Sequence, residues 1–229
     1  GGNAPFVVFE DADLDKAVDG AVLAKFRNIG QACTAANRFI VHASVADEFA
    51  RRMTEKVKGF RVGCGTEPGV TIGPLINAAA CDRVMGMFDR VRETGSGRIL
   101  MGGERCGGAL AAGNFIQPTI IADADPDSEI AQVEIFGPAI VVMKFDDEDH
   151  GVAIANNSEY GLAAYIQSND LKRVHRVAER LHAGGVYVNG AAQINPHTPF
   201  GGIGISGFGK EGGRAGIDEF LRYKTVTIA

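Results

Sequence analysis

Short apolar runs alternate with longer amphipathic stretches along almost the whole chain, and this alternation limits the possible folds more than any other feature. Phe6, Val7, Val8 and Phe9 form a run suited to a buried strand. Asp11, Asp13 and Asp15 then gather acids where a helix dipole favours them, and that helix is expected to run to Phe26. The next strand is expected over 38–41. Ser44-x-x-Asp47 reads as a capping box, followed by Val45, Phe49, Met53 and Val57 on one helical face. Further on, the pattern predicts a helix over 78–91 and strands over 98–101 and 116–121. A strong strand over 139–143, a helix over 147–156 and a strand over 162–166 follow. An amphipathic helix over 170–181 places Leu171, Val174, Val177, Ala178 and Leu181 on one face, and leaves Arg173, Arg176 and Arg180 largely outside. A strand over 186–188, a short helix over 216–221 and a last strand over 225–228 complete the chain. Strands separated by helices of this length imply crossover units: an α/β chain in three αβα layers, with a mostly parallel sheet covered on both faces. Such sheets bind ligands at the carboxyl ends of their strands.

Composition agrees with an ordinary buried core, since 45% of residues are hydrophobic and 22% charged. The net charge of -5 argues against a nucleic-acid surface, which needs a basic stripe. No apolar run approaches the ~18 residues of a membrane span. Glycine is in excess, 31 of 229 residues against a usual ~7%, and eight of these fall between Gly201 and Gly216. Within that stretch Gly202-x-Gly204-x-x-Gly207 matches the dinucleotide fingerprint letter for letter. It lacks a strand before it, a helix after it and an acid about 20 residues on, so it reads as a loop in close contact with other backbone. None of the four cysteines lies in a C-x-x-C pair, and the five histidines form no H-E-x-x-H, so a structural metal is not expected. Few cysteines and no signal peptide suggest a reducing, cytoplasmic setting.

Cys33 lies on the connection between the first helix and the second strand, among small and polar residues. A thiolate is a nucleophile, and a turn rich in backbone N–H groups lowers its pKa and holds an oxyanion. The competing reading, a buried inert thiol, is kept for Cys64, Cys81 and Cys106. Mild alkylation is then expected to label Cys33 first.

Asn28-x-Gly30-Gln31-x-Cys33, with Arg38 at the strand start, resembles the active-site signature of the aldehyde dehydrogenase superfamily. Glu134-Ile135-Phe136-Gly137-Pro138 is similar to its E-x-F-G-P, and Asn157-x-x-Tyr160-Gly161-Leu162 to its N-x-x-Y-G-L. Pro199-Phe200-Gly201-Gly202, followed by Ser206-Gly207 and Gly209-Lys210-Glu211, resembles its P-F-G-G…S-G-x-G-x-E. The resemblance spans the whole chain in family order. It implies NAD(P)-dependent oxidation of an aldehyde through a Cys33 thiohemiacetal and thioester, with the Cys33 N–H in the oxyanion hole and Asn28 positioning the thiol or the substrate oxygen. It further implies Glu134 on the nicotinamide-side ribose of NAD or NADP, Phe136 beside the nicotinamide, and Phe200 lining the substrate funnel. Arg27, six residues before the nucleophile, resembles the residue that binds the substrate carboxylate in succinate-semialdehyde dehydrogenases. Those enzymes also place a serine before P-F-G-G, where Asn195 stands here.

In the family a Glu-Leu pair, whose glutamate is the general base, precedes the Gly-Gly-x-x-P that opens this chain. The resemblance therefore reads residues 1–221 as a catalytic domain and 222–229 as a strand for homo-oligomer formation, with the dinucleotide-binding half outside the chain. On that reading the 229 residues alone have little dehydrogenase activity. The alternatives are a thiol-dependent esterase or acyl-transfer activity, and a non-catalytic assembly module.

Overall fold

The computed structural model describes residues 1–229 except Gln193. The strands are β1 (Ala4–Val8), β2 (Ala36–His42), β3 (Arg98–Met101), β4 (Thr119–Ala122), β5 (Ala139–Phe145), β6 (Tyr160–Gly161), β7 (Ala163–Gln167), β8 (Gly185–Val188) and β9 (Ile203–Gly204). The helices are α1 (Leu14–Phe26), α2 (Ala43–Lys58), α3 (Ala78–Thr94), α4 (Glu129–Gln132), α5 (Glu148–Asn156), α6 (Leu171–Arg180) and α7 (Gly213–Asp218). Seven strands form one sheet in the order β3-β4-β5-β2-β1-β7-β8, and only the β3–β4 pair is antiparallel.

The period of two along each strand divides the core. Val7, Ile40, Val141, Met143 and Ile166 point to one face, where they meet Val84, Phe88 and Val91 of α3, Val152 of α5 and Val177 of α6. Phe6, Val8, Phe39, Val142 and Tyr165 point to the other, against Ala17 and Ala21 of α1 and Phe49, Met53 and Val57 of α2. The result is the three-layer αβα arrangement that the alternation implied.

Local differences from the sequence reading have physical causes. Helix α2 begins one residue before Ser44, because the His42 imidazole accepts the Ser44 N–H and caps the helix in place of the capping box. Residues 116–118 fall outside β4, and Ile116 instead makes an isolated bridge to Arg105. The Arg173 side chain is mostly buried rather than outside. It lies over the Phe9 ring and pairs with Glu10 and Asp11. The last helix lies at 213–218, not 216–221. Residues 225–228 form no strand, since among the described residues no segment pairs with them, and Val226 and Ile228 are exposed.

The glycine-rich stretch behaves as a contact loop. β9 pairs antiparallel with β6, and the Ser206 hydroxyl accepts the Gly161 N–H at 2.9 Å. No helix follows Gly207 directly, so the dinucleotide-fingerprint match is only a match of letters.

Candidate active site

The candidate residues gather at the amino ends of the strands, not at the carboxyl ends. Gly1 and Gly2 precede β1, Cys33 precedes β2, and Glu134 precedes β5. In a parallel sheet every strand enters from the same edge, so these incoming segments converge. The opposite edge is filled by ion pairs and hydrogen bonds among Glu10, Asp11, Ser168 and Arg173.

The nucleophile segment is held in an unusual backbone path. Asn28, Ile29 and Gly30 all have positive φ, at 51°, 64° and 76°. A β-branched residue there costs of order 1–3 kcal/mol, and such strain persists only where surrounding contacts enforce it. One such contact is at Gly30, where any Cβ would collide with the Gly137 carbonyl. The Asn28 amide donates to the Gln31 carbonyl at 2.7 Å, so in this structure it braces the loop. A turn over 32–35 follows, closed by the Ala35 N–H on the Ala32 carbonyl at 2.9 Å. Cys33 sits at its corner and is exposed.

Gly2 packs so closely on the Cys33 carbonyl that a side chain at Gly2 would collide with it. The Gly2 N–H donates to Glu134 Oε1 at 3.0 Å, which joins the chain entering β1 to the E-x-F-G-P segment. Phe136, two residues on, has φ of 49° and an exposed ring. A cavity of about 400 Å³ is lined by Cys33, Gly1, Leu162, Phe200, Phe208 and Lys210, so the thiol and Phe200 share one space. A larger hollow of about 510 Å³, near Arg90, Asp125 and Glu129, contains none of the candidates. Phe200 is fixed by reciprocal backbone bonds with Glu211 at 2.7 Å, and the Lys210 ammonium donates to the Gly202 carbonyl. Arg27 is exposed and lines a second, small hollow with Thr34, Tyr165, Ala191 and Ala192. Asn195 belongs to a turn: its Oδ1 accepts the His197 N–H at 2.9 Å. Gln193, in the same stretch, lies outside the described residues. Among the described residues no group of His, Cys, Asp and Glu is placed to hold a metal, and no helix is long and apolar enough to cross a membrane.

The other thiols differ from the sequence reading in one case. Cys81 is buried and Cys106 partly so, and burial pushes both thiols up. Cys64 is exposed, and its bond with Thr66 holds the thiol below its ordinary value. Labelling order alone therefore does not identify the nucleophile.

The sequence reading missed Lys25, which is fully buried with its ammonium donating to Asn37 Oδ1. Burial pulls it down to about 7, opposed by the charge of Glu134. The unfolded lysine, at its ordinary 10.5, keeps its proton where the native one has lost it. Stability from this group therefore rises as pH increases above 7 and is lost as pH falls through 7. Between pH 7 and roughly 8.5 the wild type is expected to gain about 1–2 kcal/mol relative to Lys25→Met, measured by urea unfolding at fixed ionic strength. Parallel pH curves for the two proteins would show that the amine is not desolvated.

Comparison with known proteins matches residues 1–226 to the model of the aldehyde dehydrogenase family. A probable succinate-semialdehyde dehydrogenase [NADP(+)] from Sinorhizobium fredii is 45% identical over all 229 residues, which cover 46% of that protein. A 3-sulfolactaldehyde dehydrogenase from Pseudomonas putida is 44% identical over 228 residues, again 46% of its length. The crystal structure of an NADP-dependent enzyme from Escherichia coli superposes with a TM-score of 0.92 at 45% identity, over 97% of this chain and 45% of that one. The chain thus spans about half the length of the relatives it matches.

Proposed function

The chain belongs to the aldehyde dehydrogenase family, and from that premise we propose that Cys33 is the nucleophile of an enzyme that oxidises an aldehyde to a carboxylic acid with NAD or NADP. The observation that carries this reading is the exposed thiol at the corner of a closed turn, facing a cavity that it shares with Phe200. In the proposed reaction Cys33 Sγ adds to the aldehyde carbon, and the oxygen of the resulting thiohemiacetal accepts the Cys33 backbone N–H. When bound, NAD or NADP would supply the hydride acceptor needed to take the Cys33 adduct to the thioester level. Water then adds to the thioester carbon, the C–S bond breaks, and the acid leaves as the Cys33 thiol is restored. The donor set suits such a cofactor. Glu134 has one oxygen on the Gly2 N–H and a second for a ribose hydroxyl, and the Phe136 ring is exposed two residues away.

The relatives' names point to aldehydes that end in an anion, a carboxylate in one and a sulfonate in the other. Arg27 is the candidate for that end, because a guanidinium pairs with either group in a bidentate manner. Asn195 takes the place of the family branch's serine, and its amide nitrogen is the group it offers. The segment 222–229, with Tyr223, Val226 and Ile228 exposed, is assigned to pairing with a second copy. A light-scattering mass of one subunit overturns that assignment.

The test is production of reduced cofactor by the full-length protein with succinate semialdehyde and with butanal. We expect turnover of both, with kcat/KM at least about tenfold higher for the charged aldehyde. Equal values remove the anionic-end assignment. No reduced cofactor with any aldehyde removes the reaction.

A further inference from the structure

One buried group beneath the nucleophile turn has no part in the reaction above. Tyr165, on β7, is 1% exposed, yet its hydroxyl has found a partner: it donates to the Thr34 carbonyl at 2.7 Å. Thr34 follows Cys33 within the closed turn. The Cys33 carbonyl is meanwhile packed against Gly2. The Thr34 carbonyl is thus held from β7 and the Cys33 carbonyl is hemmed in by the chain entering β1, while the thiol faces the cavity. The ring that carries the hydroxyl is packed between two others. It lies 5.6 Å from the Phe6 ring and 5.5 Å from the Tyr187 ring, its register neighbours on β1 and β8. Burial pushes the phenol above its ordinary value, so at neutral pH it is a permanent donor.

The same side chain borders a second segment: Ala191 and Ala192 line the small hollow with Arg27, Thr34 and Tyr165. That segment leads directly into the stretch holding Asn195.

We propose that Tyr165 is a positioning residue, whose hydroxyl locks the Cys33 turn from beneath, so that the thiol keeps a fixed place in the cavity it shares with Phe200. This deepens the proposed function and rests on Cys33 being the nucleophile. A purely structural tyrosine would act through its ring, which Tyr165→Phe retains.

The experiment compares full-length wild type with Tyr165→Phe. Iodoacetamide labelling of each cysteine is read by peptide mass spectrometry, with exposed Cys64 as the internal reference and buried Cys81 as the report on folding. We expect the Cys33-to-Cys64 labelling ratio to change by at least about threefold, and kcat for aldehyde to fall about tenfold with KM within about twofold. An unchanged ratio with Cys81 still protected overturns the inference. If the variant exposes Cys81, amide exchange in the wild type decides. The Ala35 N–H must then exchange as slowly as the β2 amides, and exchange at open-loop rates overturns the proposal. A protein that oxidises no aldehyde but shows the altered ratio refutes the proposed reaction and leaves the locked turn standing.

Discussion

Cys33→Ser is expected to lower aldehyde oxidation by at least about a thousandfold, with the unfolding midpoint unmoved. The activity loss follows from chemistry. A serine hydroxyl at neutral pH is far less nucleophilic than a thiolate, and no partner placed to deprotonate it lies in the turn. The unchanged stability follows from position, since the Cys33 side chain is exposed and packs against nothing that serine would disturb. Cys64→Ser is the matched control: that thiol is also exposed and is made more acidic by Thr66, yet it lies outside the cavity. Hydrolysis of a simple ester gives a readout that needs no hydride acceptor and must disappear in Cys33→Ser alone. Loss of activity in Cys64→Ser, or retention in Cys33→Ser, would move the nucleophile elsewhere.

The layers of the fold were legible because they depend on a repeated pattern. The inner strands of the sheet bury both faces, each long helix buries one, and no single residue decides the outcome. Where one side chain decides, reading by pattern went astray. His42 took the cap expected of Ser44, since an imidazole nitrogen accepts an N–H as a hydroxyl oxygen does. Residues 225–228 have strand composition, but a strand exists only with a neighbour. Cys33, Glu134 and Phe200 stand out in the sequence as candidates because their spacing resembles a family signature. Their place in the fold does not, because the rule that ligands sit at carboxyl ends describes loops that follow strands, and Cys33 and Glu134 lie on segments that precede them. The supporting groups were hidden for another reason. Lys25 looks like a helix-surface lysine, and Tyr165 like any aromatic in a strand. Only the tertiary fold brings Asn37 to the first and the Thr34 carbonyl to the second.

Arg38→Met is expected to cost about 3 kcal/mol of stability, lowering the melting midpoint by about 6–12 °C for a domain of this size. Arg38 is 1% exposed and has no carboxylate among its hydrogen-bond partners. Its guanidinium instead donates to four carbonyls: Asn3 at 3.0 Å, Ile154 at 2.9 Å, Asn157 at 3.3 Å and Ala155 at 2.7 Å. Three of these belong to the carboxyl end of α5, where the dipole favours a cation; Ile154 also accepts the Asn157 N–H at 3.2 Å and Asn157 the Gln132 amide at 3.0 Å. Burial pulls the guanidinium down to about 10, which still leaves it charged at neutral pH. Methionine fills similar space and avoids the cost of burying a charge, but it removes four charged hydrogen bonds, including the one to the Ala155 carbonyl at 2.7 Å, and that loss outweighs the gain. The effect should also reach the site. Arg38 holds the Asn3 carbonyl while the Asn3 amide donates to Ala131, three residues before Glu134, so the Gly2–Glu134 contact loosens when Arg38 is lost. Arg38→Lys is expected to recover only part of the stability, because one ammonium cannot span acceptors on two elements as the planar fork does. A methionine variant within about 0.5 kcal/mol of wild type would mean that the α5 carbonyls find other donors and that Arg38 is not the clasp between β1, β2 and α5.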